Sequence, residues 1–292
     1  MDNQRIRILP ASISNLQSLE ELHLRGCIEL ETLPKKLRNL INLQAISITT
    51  KQSVLPEDDL AKLGLLQYLD IYECGNLESP FVGIKLPALR YLRIMRCENL
   101  KSLPLDTHHF PQLEDFIIDE CGKFELSDED EVIMDSVLRL KALFFCNVVN
   151  FPHSLQKYAN TLQSLVFLRC FELEELPEWN KKRYAAILLV FCVVANIPHS
   201  LRAYANTLQT LVFWGCYELE ALPEWVLNIT CLKFLHIHSC PELMSLPNDI
   251  HRLKALEVLQ IEGCPILYRK YQLQVGEYWH QISHIKHSRI FP

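Results

Sequence analysis

Eleven cysteines and eleven histidines in 292 residues are the side chains with the most chemistry to offer, as thiolate nucleophiles, metal ligands or a disulfide framework. Their placement supports none of these. Eight of the cysteines, Cys27, Cys74, Cys97, Cys121, Cys170, Cys216, Cys240 and Cys264, occupy one recurring place just after a short apolar alternation. A small buried residue with a weak S–H donor can serve a turn carbonyl there. No C-x-x-C and no closely spaced Cys and His set occurs, so a metal site is not expected. An odd cysteine total and an opening MDNQRIRILP without an apolar signal core favour reduced thiols in the cytoplasm or nucleus. His236 and His238 in HIHSC share one face of a strand but lack a third ligand. The eight glycines form no GxxxxGK[ST] and no GxGxxG, so no cofactor and no enzyme chemistry is read here. A net charge of −6 argues against a nucleic-acid partner, and no run of 18 apolar residues marks a membrane span. The sequon Asn228-Ile229-Thr230 has no role without a secretory route.

The cysteines are legible once the element that carries them is recognised. Residues 19–34, LEELHLRGCIELETLP, place Leu22 and Leu24 on one buried strand face, turn at Cys27, and send Leu30 and Leu33 inward. Pro34 then opens a helical segment with Leu37, Leu40 and Leu43 every third residue, and proline suits a first helical position. The unit resembles a leucine-rich repeat, LxxLxLxx(N/C)xLxxLP. Its fourth position recurs as Leu22, Ile46, Leu69, Leu92, Phe116, Leu143, Leu165, Leu189, Leu211, Leu235 and Leu259, eleven repeats spaced by 22 to 27 residues. The resemblance implies an α/β solenoid: a curved horseshoe with a parallel β-sheet on its concave face and short helical or irregular segments on its convex face. Each unit of such an array contacts only its neighbours, so one solenoid accommodates the whole length.

The array is read as residues 1–264 and a closing tail as 265–292. Asn3, Ile6, Leu9 and Pro10 align with Cys27, Leu30, Leu33 and Pro34, so the chain is expected to begin inside a repeat with an open first edge. The second repeat is degenerate, with ITTKQSVLP where the cysteine turn belongs. Ser127 to Glu131, SDEDE, reads as a solvated outer loop. Residues 138–179 and 184–225 are near copies at an offset of 46, with Asn160 and Asn206 as turn residues and one irregular strand near Leu188 to Cys192. In the tail, Tyr271, Val275, Trp279 and Ile282 lie about one helical turn apart and are expected to cover the last repeat.

What the repeat offers is a surface. The third, fifth and seventh positions of each unit should face outward from the sheet. The fifth and seventh columns turn apolar in the middle of the chain, predicting an exposed protein-binding strip of Phe144, Val166, Leu168, Val190, Val212 and Trp214. Towards the N-terminus the outward positions, the third included, are polar and aromatic, giving a second contact zone of His23, Arg25, Tyr68, Asp70, Tyr72, Tyr91 and Arg93.

The CxxLxxLP units and the ending EGCPILYRKYQLQVGEYWHQISHI resemble the C-terminal region of plant intracellular nucleotide-binding leucine-rich-repeat disease-resistance proteins, whose tail reads CPxLxxR…GxxWxxIxHI. The matching positions are Cys264, Pro265, Leu267, Arg269, Gly276, Trp279, Ile282, His284 and Ile285. The resemblance implies a role in plant defence, with the repeats recognising a pathogen effector or packing on a nucleotide-binding domain in cis or in trans. The family's phosphate loop and signalling domain have no counterpart in these residues, so nucleotide binding is not carried over. Two alternatives are a truncated decoy or adaptor and a substrate-recruiting subunit of a ubiquitin ligase. The latter needs an F-box-like helical segment, which these residues do not supply.

Overall fold

The computed structural model describes residues 5–81, 83–124, 140–146, 161–169, 188–192 and 205–292. The acidic run at 127–131, Asn160, Cys170 and most of the duplicated block lie outside the described residues. Twelve strands are described: β1 (Glu21–His23), β2 (Ala45–Ile48), β3 (Tyr68–Tyr72), β4 (Tyr91–Met95), β5 (Asp115–Asp119), β6 (Ala142–Cys146), β7 (Ser164–Leu168), β8 (Leu188–Cys192), β9 (Thr210–Trp214), β10 (Phe234–His238), β11 (Val258–Glu262) and β12 (His287–Ile290). The first eleven begin or pass where the alternation places them, including the irregular one at Leu188–Cys192. The chain forms two compact units, Met1–Leu143 and Phe144–Pro292.

In the first unit β1 to β5 pair in parallel with the predicted register: Leu22 with Ile46, Ile46 with Leu69, Leu69 with Leu92 and Leu92 with Phe116. In the second, Leu165, Leu189, Leu211, Leu235 and Leu259 pair in the same succession. A period-two pattern with one apolar face fixes this register, because a slip of one residue would turn every leucine to solvent.

Among the described residues, eight of the strands end in the same way. The eighth position of the repeat takes a left-handed backbone, at Gly26, Glu73, Arg96, Glu120, Arg169, Gly215, Ser239 and Gly263, with φ between 50° and 77°. Three of these are glycine, for which that conformation carries no Cβ clash. The next residue turns into the core at Cys27, Cys74, Cys97, Cys216, Cys240 and Cys264, and the turn carbonyl accepts the N–H three residues on, as in Leu30 to Cys27 (2.9 Å) and Leu100 to Cys97 (3.0 Å). In the second repeat hydroxyls replace the thiol. Thr50 is buried and donates to Leu30 O (3.2 Å), and Thr49 donates to Tyr72 O (2.8 Å) while accepting Gly26 N–H (3.1 Å). The strand pairing across this repeat is therefore regular although its consensus is lost.

The return segments are tighter than an α-helix. Leu37–Asn39, Glu224–Asn228 and Ile250–Arg252 are 3-10 turns, in which side chains three apart eclipse. Leu37, Leu40 and Leu43 are all fully buried on that single edge, with Leu40 N–H and Leu43 N–H each bonded to the carbonyl three residues back (3.0 Å). The leucine spacing of three, rather than 3.6, is the sequence signal for this geometry. The prolines sit earlier than expected: Pro34 lies two residues before Lys36, the cap of Leu37–Asn39, and Pro10 and Pro223 are extended cap residues (ψ 138° and 143°) immediately before the turns at Ala11–Asn15 and Glu224–Asn228. A short α-helix, α1 (Glu57–Leu60), replaces the turn in one repeat.

The tail folds back as α2 (Pro265–Tyr271) and α3 (Trp279–Ile282), then adds β12 in parallel to β11. Tyr271 is buried, and its hydroxyl accepts Leu246 N–H (3.2 Å); Ile282 is buried as well. Val275 departs from the expected inward stripe, being 76% exposed, because the helix stops at Tyr271 and the chain turns through Gly276. Trp279 is half-buried.

Candidate functional site

The face of the sheet away from the leucines is built by the odd positions of each repeat. In the first unit, neighbouring side chains there form one connected patch. His23 lies between Glu21 Oε2 (3.0 Å) and Ser47 Oγ (3.2 Å). The small Ser47 and Thr49 on and beside β2 leave a trough that lets Arg25 reach across to β3, where its Nη1 lies 3.6 Å from Asp70 Oδ2 and its guanidinium stacks 4.1 Å over the Tyr72 ring. Arg96 approaches Tyr72 from the other side, donating to its hydroxyl (2.7 Å) and binding Glu120 (2.8 Å) and Glu73 (3.2 Å). The rings of Tyr68 and Tyr91 are 6.5 Å apart on neighbouring strands, and Arg93 is the register partner of Asp70. All seven residues of the predicted polar zone thus lie on β1 to β4 or the residues just after them.

Asp70 corrects the expectation in one respect. Its surface is 2% accessible, not exposed, because Arg25 covers it from one side while Ser47 and Arg93 flank it in register. Burial lifts its carboxyl above the ordinary carboxylate range, against the pull of Arg93, Arg25 and His23. The folded state then holds this proton more tightly than the unfolded chain does. The stabilising contribution is present below the unfolded pKa and is lost as pH rises through the raised folded value. Asp70→Asn should therefore gain stability relative to the parent protein between pH 3 and pH 7 in urea unfolding; a relative loss over that interval contradicts this account.

In the second unit the fifth column runs in register as Val166, Val190, Val212, His236 and Gln260, and the seventh as Leu168, Cys192, Trp214, His238 and Glu262. Phe144 stands on β6, the neighbour of β7. The predicted strip is brought together, but its exposure is uneven. Trp214 is 53% exposed, and Phe144, Leu168, Val190 and Val212 are half-buried. Val166 is buried at 7% accessibility, against expectation. It belongs to the support of the strip, not to its contact surface.

Sequence reasoning missed the row that completes this face. The Trp214 and His238 rings stack at 4.1 Å and 16°. Ser239 Oγ lies 2.8 Å from His238 Nδ1, and Glu262 Oε1 lies 3.8 Å from Nε2. The sequence signal was present, since these residues hold the same column of consecutive repeats. Among the described residues, no group of three or more His, Cys, Asp or Glu side chains is placed to hold a metal.

The turn cysteines line up behind the strands. Cys97 Sγ lies 3.4 Å from Met95 O, Cys121 Sγ 3.3 Å from Asp119 O and Cys264 Sγ 3.3 Å from Glu262 O, and Cys240 N–H donates to Cys264 Sγ (3.3 Å). Neighbouring thiols and burial hold Cys121 and Cys240 protonated far above the ordinary thiol range. Cys74, Cys97, Cys121, Cys231, Cys240 and Cys264 are thiols outside any disulfide. With iodoacetamide under native conditions, the half-exposed Cys231 should react first, and Cys74, Cys97, Cys240 and Cys264 at less than about one-tenth of its rate. Mass spectrometry showing early labelling of the turn column would contradict this placement.

Strand, left-handed turn, buried cysteine and 3-10 return repeat with the parallel register of one fourth-position residue on the next. The fold is the leucine-rich repeat. A TLR13–ssRNA13 complex is similar in structure, with a TM-score of 0.53 and 17% identity, covering 95% of this chain and 44% of that one. The leucine-rich-repeat domain of the type III effector XopL matches with a TM-score of 0.33 and 18% identity over 98% of this chain and 73% of that one. The functional domain of InlJ from Listeria monocytogenes, described as including a cysteine ladder, matches with a TM-score of 0.43 and 16% identity over 87% of this chain and 58% of that one. No protein-family model and no curated protein matches the sequence. These likenesses are of fold. Leucine-rich-repeat folds typically serve as scaffolds for protein interaction, and among the described residues no helix is long and apolar enough to cross a membrane.

Proposed function

We propose that this chain is a non-enzymatic protein-binding module of a plant disease-resistance protein. In this reading residues 1–264 form the array and 265–292 close it, and the strand face seats either a pathogen effector or a receptor's nucleotide-binding domain. The plant assignment rests on the tail residues Cys264, Pro265, Leu267, Arg269, Gly276, Trp279, Ile282, His284 and Ile285. The buried turn thiols of Cys74, Cys97, Cys240 and Cys264, outside any disulfide, fit a reducing compartment, the cytoplasm or nucleus.

The observation that carries the binding role is Trp214, a large aromatic 53% exposed at the edge of half-buried Val190 and Val212 and held in place by His238. Rigid aromatics beside an apolar surface dominate interface energies, and losing one costs about 2 kcal/mol or more, roughly 30-fold in affinity. Trp214→Ala should weaken partner binding by about that factor, read by biolayer interferometry, while the urea midpoint moves little because the ring lies largely outside the core. Unchanged affinity would remove Trp214 from the interface. Val166→Asp is unsuitable for the same purpose, since it would bury a charge and unfold the strand.

A further inference from the structure

On the face away from the leucines, the third position of each repeat runs in register across the first unit as Glu21, Ala45, Tyr68, Tyr91 and Asp115. The row ends in two carboxylates and holds no basic residue. Tyr91 is 41% exposed, and its ring lies 6.5 Å from that of Tyr68 on one side. On the other side its direct register partner is the shorter, half-buried Asp115, which leaves that flank of the ring to an outside group, above a carboxylate. Among the described residues no basic side chain pairs with Asp115. Arg90 and Lys141, the two that act on it, are held by Glu114 at 3.1 and 2.9 Å, and Arg93 is the register partner of Asp70. Burial, and then Glu114, lift the Asp115 carboxyl above the usual carboxylate range against Lys141 and Arg90, so its charge is incompletely compensated.

The same unit shows what a neighbouring tyrosine and aspartate hold. Arg25 lies 4.1 Å over the Tyr72 ring while its Nη1 reaches 3.6 Å from the Asp70 carboxylate. Tyr91 and Asp115 offer the same two partners, an aromatic face and a carboxylate, and among the described residues no cation lies over the Tyr91 ring. An anion there would meet Asp115 and Glu21, and a wholly apolar group would dry Asp115 without compensating its charge. A cation gains at both the ring and the carboxylate. A planar guanidinium can stack and donate to a carboxylate together, which an ammonium point charge does not. We propose that Tyr91 and Asp115 seat an arginine side chain of the protein partner, stacked on the Tyr91 ring and donating to the Asp115 carboxylate. The inference deepens the binding role proposed above and rests on it for the identity of the occupant as a protein.

The test uses the full chain and small probes, so it fails or succeeds independently of Trp214. The peptide acetyl-Gly-Arg-Gly-amide is titrated at low salt into protein ¹³C-labelled on its tyrosine rings. The Tyr91 ring signal, identified by its loss in Tyr91→Phe, is followed by NMR. The expected result is a saturable shift with a dissociation constant on the order of 1–10 mM, as ligand efficiency allows for one engaged side chain. Affinity should fall about fivefold in Asp115→Asn, which keeps the size of the side chain and removes its charge, and about fivefold for the citrulline probe, which does the same to arginine. Tyr91→Leu, read at the neighbouring Tyr68 ring, should weaken binding about threefold or more and gives a second variant should Asp115→Asn not fold. Equal or tighter binding of the citrulline or lysine probe overturns the proposal, as does a Tyr91 signal unmoved at about 100 mM arginine probe, well past the affinity expected. An unchanged constant in either folded variant overturns it too.

Discussion

Phe191→Ala should lower the unfolding free energy by about 3–5 kcal/mol, the range for deleting a buried phenylalanine ring. In most repeats the sixth position is isoleucine, as at Ile71, Ile94, Ile237 and Ile261, but in four consecutive repeats of the second unit it becomes Phe145, Phe167, Phe191 and Phe213. These rings stack one on the next at 6.0, 5.7 and 5.7 Å with interplanar angles of 21°, 13° and 16°, and each is essentially inaccessible. Phe191 stacks on both Phe167 and Phe213, so its removal leaves a cavity shared by three repeats that rigid strand pairing cannot collapse. Because solenoid stability is a sum of repeat and nearest-neighbour terms, the loss should fall mainly on the second unit. Urea unfolding read by hydrogen exchange resolves this, with the strands around β8 losing protection first. A cost below about 1 kcal/mol would mean the rings are not packed as described.

The second large effect is expected from Gly276→Ala. A Cβ on Gly276 would fall against Lys270 O and, at 2.6 Å, against Gln272 N, both backbone atoms that cannot rotate away. The turn between α2 and α3 closes at this point through Gly276 N–H to Gln272 O (2.8 Å) and Tyr278 N–H to Lys270 O (2.9 Å). Opening it would withdraw Tyr271, whose hydroxyl accepts Leu246 N–H, and would loosen Ile282. A cost of about 3 kcal/mol follows, at the upper end for overpacking, with selective loss of amide protection from 265 to 290. Gly276→Ala with parental stability would show that the turn can relax, and would remove the physical reason for glycine in the tail motif.

Much of the fold was legible in the sequence because leucine periodicity reports burial directly. Leu22, Leu69, Leu92, Leu211 and Leu235 fix strand, face and register together, since only one register keeps all of them inside. The second repeat shows where that reading stopped. Without a cysteine it looked irregular, yet Thr49 and Thr50 supply the same turn bonds through hydroxyls, a substitution of chemistry that an apolar pattern does not report. The left-handed eighth position was also invisible in Glu73, Arg96 and Glu120, whose side chains do not signal it.

The candidate site was legible as columns but not as exposure. Position alone placed Val166 and Trp214 on one face; side-chain size and neighbours made the first a support and the second a contact. Asp70 was drawn under cover by Arg25, which reached it only because Ser47 and Thr49 between them are small. Such two-strand reaches depend on which residues are missing from a column, and a list of the residues present does not display them.

The protein contact proposed for the strand face of the second unit centres on Trp214. Its most direct test is site-specific photocrosslinking with p-benzoylphenylalanine at Val212, half-buried on that face, and at Lys254, exposed on the return segment behind it. A discrete adduct is expected from position 212, none from 254, and the adduct should disappear when Trp214→Ala is added. Adducts formed equally from both positions, or an adduct from 212 that persists without Trp214, would contradict it.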